Sequence, residues 1–218
     1  MTPLEVEKLR AAMPTERDRL LLGLMAYAGL RPEEALPMVW GNVSGDRLLV
    51  DRTFSHGALE MRTKTNPVRD VRLVLPLVEE LAAARPADAK AEDLVAPGRF
   101  GGPLDLDNWR WRVWRPAAER AGVAATPADC RHTFASLLAN EGGLMQDVAR
   151  QLGHTTPQML DRYCEVFDPA AVAHRTAMAD AIREARRTVR GDVAETRHKR
   201  QPAVRRSSRK KPRYAGVS

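Results

Sequence analysis

The sequence predicts an α+β fold, a mostly helical domain that carries a small three-stranded antiparallel sheet. Apolar residues recur at helical spacing over most of the chain. Between Trp40 and Pro76 this spacing gives way to short runs of branched residues separated by turn residues, a pattern typical of strands. Helical spacing then returns, and an order of helices, strands and helices indicates the α+β class. A chain of 218 residues can bury the core of one such domain.

The first helices have clear boundaries in the sequence. Residues Thr2-Pro3-Leu4-Glu5 form a capping-box motif, and we expect the helix that it begins to end at about Ala12. A second, nearly apolar helix is predicted from Thr15 to Ala28, and Gly29 suits a left-handed cap at its end. A proline after Arg31 favours a further short helix, which we place between Arg31 and Leu36.

Three short runs, residues 48–50, 58–62 and 68–75, are predicted to form the three-stranded sheet. In the third run, Val71, Leu73 and Leu75 alternate with other residues, so one face of this strand should pack inward. Lys64 then falls in the hairpin between the second and third strands.

The second half of the chain is predicted to be helical. The predicted helices span residues 77–84, 107–121, 129–140, 145–152, a short segment from Pro157 that carries Tyr163, and residues 168–187. In the helix over 107–121, helical spacing places Trp111 and Trp114 on one face, which favours a core position for both. The spacing leaves the position of Trp109 open.

The net charge of +7 is concentrated at the C-terminal end. From Arg183 onward there are 13 Lys and Arg residues against 3 Asp and Glu, whereas residues 1–182 have a net charge of −3. Residues 191–218 are charged and poor in apolar residues, so we predict a disordered basic tail. Such a tail favours sequence-independent contact with nucleic acid, the alternative being a solvated end without a fixed partner. Its strongest positive cluster, called the tail cluster below, consists of Arg205, Arg206, Arg209, Lys210 and Lys211.

Composition also excludes several classes of protein. The two cysteines, Cys130 and Cys164, form no C-x-x-C motif and no cluster with histidines, so neither a disulfide framework nor a metal site is predicted. The longest apolar run, residues 20–30, is too short to span a bilayer, and the N-terminus has no signal-peptide pattern. We therefore expect a cytoplasmic protein with no membrane contact and no cofactor.

Five positions in the sequence are candidate catalytic residues. Arg131 lies in the stretch from Thr126 to Tyr163, followed by Leu152-Gly153-His154 and then by Tyr163, nine residues after the histidine. Upstream are Ala28-Gly29-Leu30-Arg31-Pro32-Glu33-Glu34 and Thr63-Lys64-Thr65. In this order and spacing, the motifs resemble the active site of the tyrosine recombinases, the phage-integrase family. The resemblance covers about residues 1–180 and implies the integrase-like DNA breaking-rejoining fold.

The chemistry that this family performs suits these residue types. Cleavage of a phosphodiester needs positive charge on the non-bridging oxygens, an in-line nucleophile and a proton for the leaving oxygen. The resemblance implies that Arg31 and Arg131 clamp the phosphate, because a guanidinium fork matches two phosphate oxygens. It also implies that Tyr163 is the nucleophile, which forms a 3′-phosphotyrosyl link.

Three further roles follow from the same resemblance. Lys64 would protonate the 5′-oxygen, and His154 would hydrogen-bond the phosphate. Glu34 would orient a buried basic group rather than react. The implied partner is double-stranded DNA, bound by a homotetramer, with room for accessory DNA-bending proteins, and the chemistry requires neither a metal nor another cofactor.

The sequence departs from the family pattern at two points. Ala128 stands where a histidine usually handles the proton of the nucleophile, and general acid–base groups contribute about 10²–10⁴-fold in rate. In addition, we expect residues 1–190 to be the catalytic domain, with the family's N-terminal core-binding domain absent. The sequence therefore predicts a site-specific DNA recombinase of reduced activity. The alternative is a catalytically impaired integrase remnant that only binds DNA.

Overall fold

The computed structural model describes residues 1–61, 68–140, 145–153 and 178–200. The fold is mostly helical with small antiparallel sheets, as the sequence predicts. The α-helices are α1 (Pro3–Ala12), α2 (Glu16–Tyr27), α3 (Pro32–Ala35), α4 (Leu75–Ala84), α5 (Leu106–Trp109), α6 (Arg115–Ala121), α7 (Asp129–Asn140), α8 (Met145–Leu152) and α9 (Met178–Arg200).

The N-terminal helix signals are confirmed. The Glu5 backbone N–H donates to Thr2 Oγ1 at 3.2 Å, and the Thr2 N–H donates to Glu5 Oε2 at 2.7 Å, which completes the capping box. Gly29 follows α2 with φ +68°, the left-handed conformation that glycine adopts at least cost. A Cβ at this position would overlap the ring of Phe134 on α7, so α2 and α7 approach each other closely here.

A three-stranded antiparallel sheet is present, but one predicted strand is not part of it. Strands β1 (Val43–Ser44), β2 (Arg47–Val50) and β5 (Arg69–Arg72) pair in the order β1-β2-β5. The predicted second run instead forms β4 (Ala58–Met61), which pairs with β3 (Arg52–Ser55) in a separate two-stranded sheet. The prediction was wrong here because β3 has a polar sequence, and the run over 58–61 pairs with this immediate neighbour.

The turn of this hairpin has a simple physical cause. Ser55 pairs with Ala58, so His56 and Gly57 form a two-residue connection, and both have positive φ, +51° and +77°. Two central residues with positive φ give a turn whose twist matches that of paired strands. The segment 62–67, which includes Lys64, lies outside the described residues.

The helix over 107–121 is interrupted, and this changes which tryptophans are buried. Five residues, Arg110–Trp114, form a π-helical turn between α5 and α6. The wider turn brings Trp109 and Trp114 onto one face, with ring centroids 5.7 Å apart and both rings buried. Trp111 is 67% exposed, so its predicted core position is wrong. A regular helical spacing does not apply across a π turn.

The core is built around α2, whose residues 20–27 are all buried. Helix α2 packs against α7 and α4, and α1 packs against α6 and α9. Arg186 on α9 donates from Nε to Glu7 Oε1 at 3.1 Å and from Nη2 to Glu80 Oε2 at 2.9 Å, which holds α9 on α1 and α4.

Helix α9 extends beyond its predicted end, since it continues through Gly191 to Arg200 where disorder was expected from residue 191; its predicted start at residue 168 lies outside the described residues. A single glycine inside a helix costs only about 1 kcal/mol and does not end it. The tail cluster lies beyond the described residues. None of the helices in the described ranges has the length and apolar character needed to cross a bilayer.

Candidate active site

Arg31 lies at the turn between α2 and α3, where the sequence predicted the first arginine of the site. Its backbone N–H donates to Glu34 Oε2 at 2.9 Å, and its Nη1 donates to Glu34 Oε1 at 3.0 Å. These bonds fix both the first turn of α3 and the direction of the guanidinium. The Arg31 side chain is 40% exposed, so it can reach a ligand in solution.

Glu34 is the centre of the site. Its side chain is fully buried, and its two oxygens accept from Arg69 Nη1 at 3.0 Å and Arg69 Nη2 at 2.6 Å, in addition to Arg31. Arg131 Nη1 lies 3.9 Å from Glu34 Oε2. The paired fork of Arg69 matches the planar carboxylate, a geometry that gives strong charge-assisted hydrogen bonds.

Arg131 extends from the first turn of α7 into the space between two backbone segments. Its Nη1 donates to the carbonyl of Gly29 at 2.7 Å, and its Nη2 donates to the carbonyl of Leu152. The side chain is buried, with 9% exposure. Arg131 therefore joins the turn that carries Arg31 to the end of α8, although these three parts of the site are far apart in sequence.

The carboxyl end of α8 is held by two arginines. Arg69 Nε donates to the carbonyl of Gln151 at 2.8 Å, next to the Leu152 carbonyl that Arg131 contacts. The last carbonyls of a helix lack intrahelical donors and carry partial negative charge, so cations stabilise them. Gly153 then ends the helix with φ +67°, and a Cβ there would lie 3.0 Å from Arg69 Cδ.

Position 128 lies at the N-terminus of α7. Ala128 is exposed and comes one residue before the helix, where its carbonyl accepts the Arg131 N–H at 3.2 Å. Asp129 accepts the backbone N–H and the hydroxyl of Thr126, both at 2.8 Å, and these bonds lower the pKa of its carboxyl, the backbone bond most. Burial raises the pKa of the neighbouring Cys130 thiol, so this cysteine stays protonated and unreactive.

The structure thus brings Arg31, Glu34 and Arg131 together. Lys64, His154, Tyr163 and the tail cluster lie outside the described residues, and their predicted roles stay predictions. In the described part of the chain, no group of three or more His, Cys, Asp or Glu side chains could hold a metal ion.

Sequence reasoning missed one member of the cluster, Arg69, which is only 8% exposed. The alternation of β5 contained the signal, because Arg69 occupies the same inward face as the buried Val71. A charged residue at an inward position needs a buried partner of opposite charge, and Glu34 is that partner. The four side chains Arg31, Glu34, Arg69 and Arg131 together carry a formal charge of +2. This excess of positive charge suits an anionic ligand such as a phosphate group.

Comparison with known proteins places this cluster in context. The model of the phage integrase family matches residues 1–169. Among curated proteins, the tyrosine recombinase XerC of Xylella fastidiosa (strain 9a5c) is 34% identical over 148 residues, which is 66% of this chain and 47% of that protein. The tyrosine recombinase XerA of Thermococcus kodakarensis is 28% identical over 170 residues, which is 76% of this chain and 57% of that protein. The chain thus spans about half the length of these relatives.

Solved structures share the fold at low sequence identity. A crystal structure of XerA recombinase covers 78% of this chain and 60% of its own, with a TM-score of 0.59 and 19% identity. The catalytic domain of bacteriophage HP1 integrase covers 76% of this chain and 86% of its own, with a TM-score of 0.54 and 21% identity. The Tn1549 transposon integrase, solved in complex with circular intermediate DNA, covers 90% of this chain and 66% of its own, with a TM-score of 0.62 and 16% identity.

Proposed function

The chain belongs to the phage integrase family, and from this premise we propose that it cleaves and rejoins double-stranded DNA through a 3′-phosphotyrosyl intermediate. The observation that carries the proposal is the convergence of Arg31 and Arg131, 100 residues apart in sequence, on the one buried carboxylate of Glu34. Two guanidiniums held against one carboxylate, with a third from Arg69, form a rigid positive site. Such a preorganised site stabilises the charge that develops on a phosphate in the transition state.

The proposed reaction uses these groups in defined roles. Arg31 and Arg131 hold the non-bridging oxygens of the scissile phosphate. The oxygen of Tyr163 forms a bond to phosphorus as the bond from phosphorus to the 5′-oxygen breaks, and the tyrosine proton passes to solvent water, because Ala128 offers no acceptor. Lys64 gives a proton to the departing 5′-oxygen, and His154 hydrogen-bonds the phosphate. In rejoining, the 5′-hydroxyl attacks phosphorus and the bond from phosphorus to Tyr163 breaks; no external energy source is needed because the phosphotyrosyl link stores the energy of the cleaved phosphodiester bond.

The cellular setting is also part of the proposal. The recombinase would act in the cytoplasm as a homotetramer on DNA, in the integration or excision of a mobile element, with accessory DNA-bending proteins as further partners. The tail cluster would add sequence-independent attraction to phosphates, which depends steeply on salt. Relatives of this chain that were solved with DNA, such as the Tn1549 transposon integrase, support double-stranded DNA as the partner.

Ala128 motivates a second candidate function, that of an integrase remnant that binds DNA and does not cut it. The position is exposed at the N-terminus of α7, one residue before the helix that carries Arg131. Alanine offers no group to accept or donate a proton there, and the loss of such a group reduces a rate by about 10²–10⁴-fold. An exposed position can accept a larger side chain without repacking, so the missing histidine can be restored by mutation.

A nicked suicide substrate separates the two functions. Duplexes from the DNA that flanks the gene would be incubated with wild type, Tyr163→Phe and Ala128→His, and covalent adducts would be resolved on denaturing gels. Tyr214→Phe is the matched control, because it removes the hydroxyl of a tyrosine outside the motif. We expect an adduct with wild type and Tyr214→Phe, none with Tyr163→Phe, and formation about 10²-fold faster or more with Ala128→His.

Each other outcome has a clear meaning. An adduct with Ala128→His alone would show an intact scaffold that is disabled at this position, and the remnant function would then hold for the natural chain. An adduct that persists in Tyr163→Phe would contradict the assignment of the nucleophile. DNA binding by every variant, without an adduct in any, would contradict the recombinase proposal.

A further inference from the structure

Arg69 makes hydrogen bonds to two separate parts of the candidate site. Its two Nη atoms donate to the two oxygens of Glu34, and its Nε donates to the Gln151 carbonyl. The side chain is 6% exposed, compared with 40% for Arg31. All three nitrogens of the Arg69 guanidinium thus donate to protein oxygens, two to the Glu34 carboxylate and one to a backbone carbonyl.

The contacts of Arg69 connect the two parts of the site. On one side, the Glu34 carboxylate accepts hydrogen bonds from the guanidiniums of both Arg69 and Arg31. On the other side, Arg69 donates to the Gln151 carbonyl at the end of α8. The neighbouring Leu152 carbonyl accepts a hydrogen bond from Arg131. Removal of the Arg69 side chain would take away the bidentate partner of Glu34 and one of the two hydrogen bonds between Gln151 and β5, leaving the bond from the Arg72 N–H to Gln151 Oε1.

Gly153 packs closely against the side chain of Arg69. A Cβ at position 153 would lie 3.0 Å from Cδ and 3.3 Å from Nε and Nη1 of Arg69, so a larger residue would require the Arg69 side chain to move by a few tenths of an ångström. The left-handed φ of +67° favours glycine for a second, independent reason. The glycine of the Leu-Gly-His motif thus allows both the left-handed turn and the close approach of Arg69.

We propose that Arg69 is a positioning residue, which holds Glu34 against the end of α8 and thereby sets the spacing of Arg31 and Arg131 for one phosphate group. This inference rests on the proposed function, because it assumes that these two arginines bind the reacting phosphate. Lysine cannot replace Arg69 in this role. It is a compact point charge that pairs with Glu34 but cannot span both carboxylate oxygens and the Gln151 carbonyl.

The test reads phosphate binding directly and does not require DNA cleavage. The full chain, labelled at arginine Nε, would be titrated with inorganic phosphate while the Nε–H signals of Arg31 and Arg131 are followed by NMR. Arg31→Lys and Arg131→Lys would assign the two signals. The test variants are Arg69→Lys and Arg69→Met.

Arg72→Met is the matched control, because Arg72 lies on the same strand with its side chain 74% exposed and contacts Asp46. Thermal melting of every variant would establish the temperature at which it is folded. We expect phosphate to shift both signals in wild type and in Arg72→Met. The apparent dissociation constant for phosphate should be about 10-fold higher in Arg69→Lys at a temperature where that variant is fully folded.

Two results would overturn the inference. One is an unchanged dissociation constant in folded Arg69→Lys, which would leave Arg69 with a role in stability alone. The other is the absence of phosphate-induced shifts at Arg31 and Arg131 in wild type. The failure of the proposed function has a different signature, since a chain that forms no DNA adduct can still show the phosphate shifts and their dependence on Arg69.

Discussion

Replacement of Glu34 by glutamine is the sharpest test of the site's architecture. Glutamine keeps the shape of the side chain, so no cavity is made, but it removes the charge and places an amide donor among guanidinium donors. Arg69 is 6% exposed and would lose the carboxylate that its fork contacts at 2.6 and 3.0 Å. Breaking a buried ion pair by removing one partner costs about 3–5 kcal/mol. The pair with Arg31 adds little, because that side chain is 40% exposed and solvent screens it.

The measurement is urea denaturation, followed by far-UV circular dichroism. With an m-value of about 2 kcal/mol/M, the expected loss shifts the midpoint by about 1.5–2.5 M to lower urea. Glu33→Gln is the matched control, since Glu33 lies in the same turn of α3 and is only half-buried. It should lose less than about 1 kcal/mol, the size of a charge effect at a helix N-terminus. Equal losses in the two variants would refute the idea that the cluster depends on the Glu34 carboxylate.

Three further predictions concern other parts of the chain. Gly29→Ala should destabilise the fold by about 1–3 kcal/mol more than Gly122→Ala in urea denaturation, because both have left-handed φ but only Gly29 faces a ring, that of Phe134. Equal losses would mean that the ring moves away freely. Alkylation of Cys130 by iodoacetamide, followed by peptide mass spectrometry, should require global unfolding, since burial raises the pKa of the thiol and excludes the reagent; labelling at the rate of an unfolded peptide would contradict this. Glutamine at all five positions of the tail cluster should reduce the slope of log Kd for duplex DNA against log salt by about 4, and an unchanged slope would show that the cluster makes no phosphate contacts.

Local signals in the sequence were sufficient for most helices. The capping box of Thr2 and Glu5 depends on residues three apart, and the left-handed caps depend on single glycines such as Gly29. The predicted bounds of α7 and α8 agree with the structure, because glycines follow both helices in the sequence. In each case, the information lies within one or two turns of the chain.

Strand partners and the π turn could not be predicted in the same way. A branched run indicates a strand but does not specify its neighbour, so β4 was placed in the wrong sheet. The burial of Trp109 and the exposure of Trp111 depend on one π-helical turn, which no spacing pattern in the sequence indicated. Helical spacing alone therefore assigned the wrong tryptophan to the core.

The candidate site shows the same division between local and long-range information. The motifs around Arg31 and Arg131 were visible in the sequence, and Glu34 was predicted to orient a buried basic group. That Arg69, 35 residues further along, pairs with Glu34 follows from the pairing of β5 with β2 and the packing of α8 on β5. A contact of this kind cannot be predicted from the spacing of residues along the chain.

The arginine cluster is more than folding by itself requires. A buried ion pair can often be replaced by apolar residues without loss of stability, so one carboxylate among three guanidiniums is a weak device for holding helices together. The four side chains carry a formal charge of +2, and the mutual repulsion of the guanidiniums costs free energy in the unliganded state. An anion that binds only the folded chain relieves this cost and stabilises the fold by mass action. This relief is the contribution to stability that the proposed phosphate ligand would make at the four side chains.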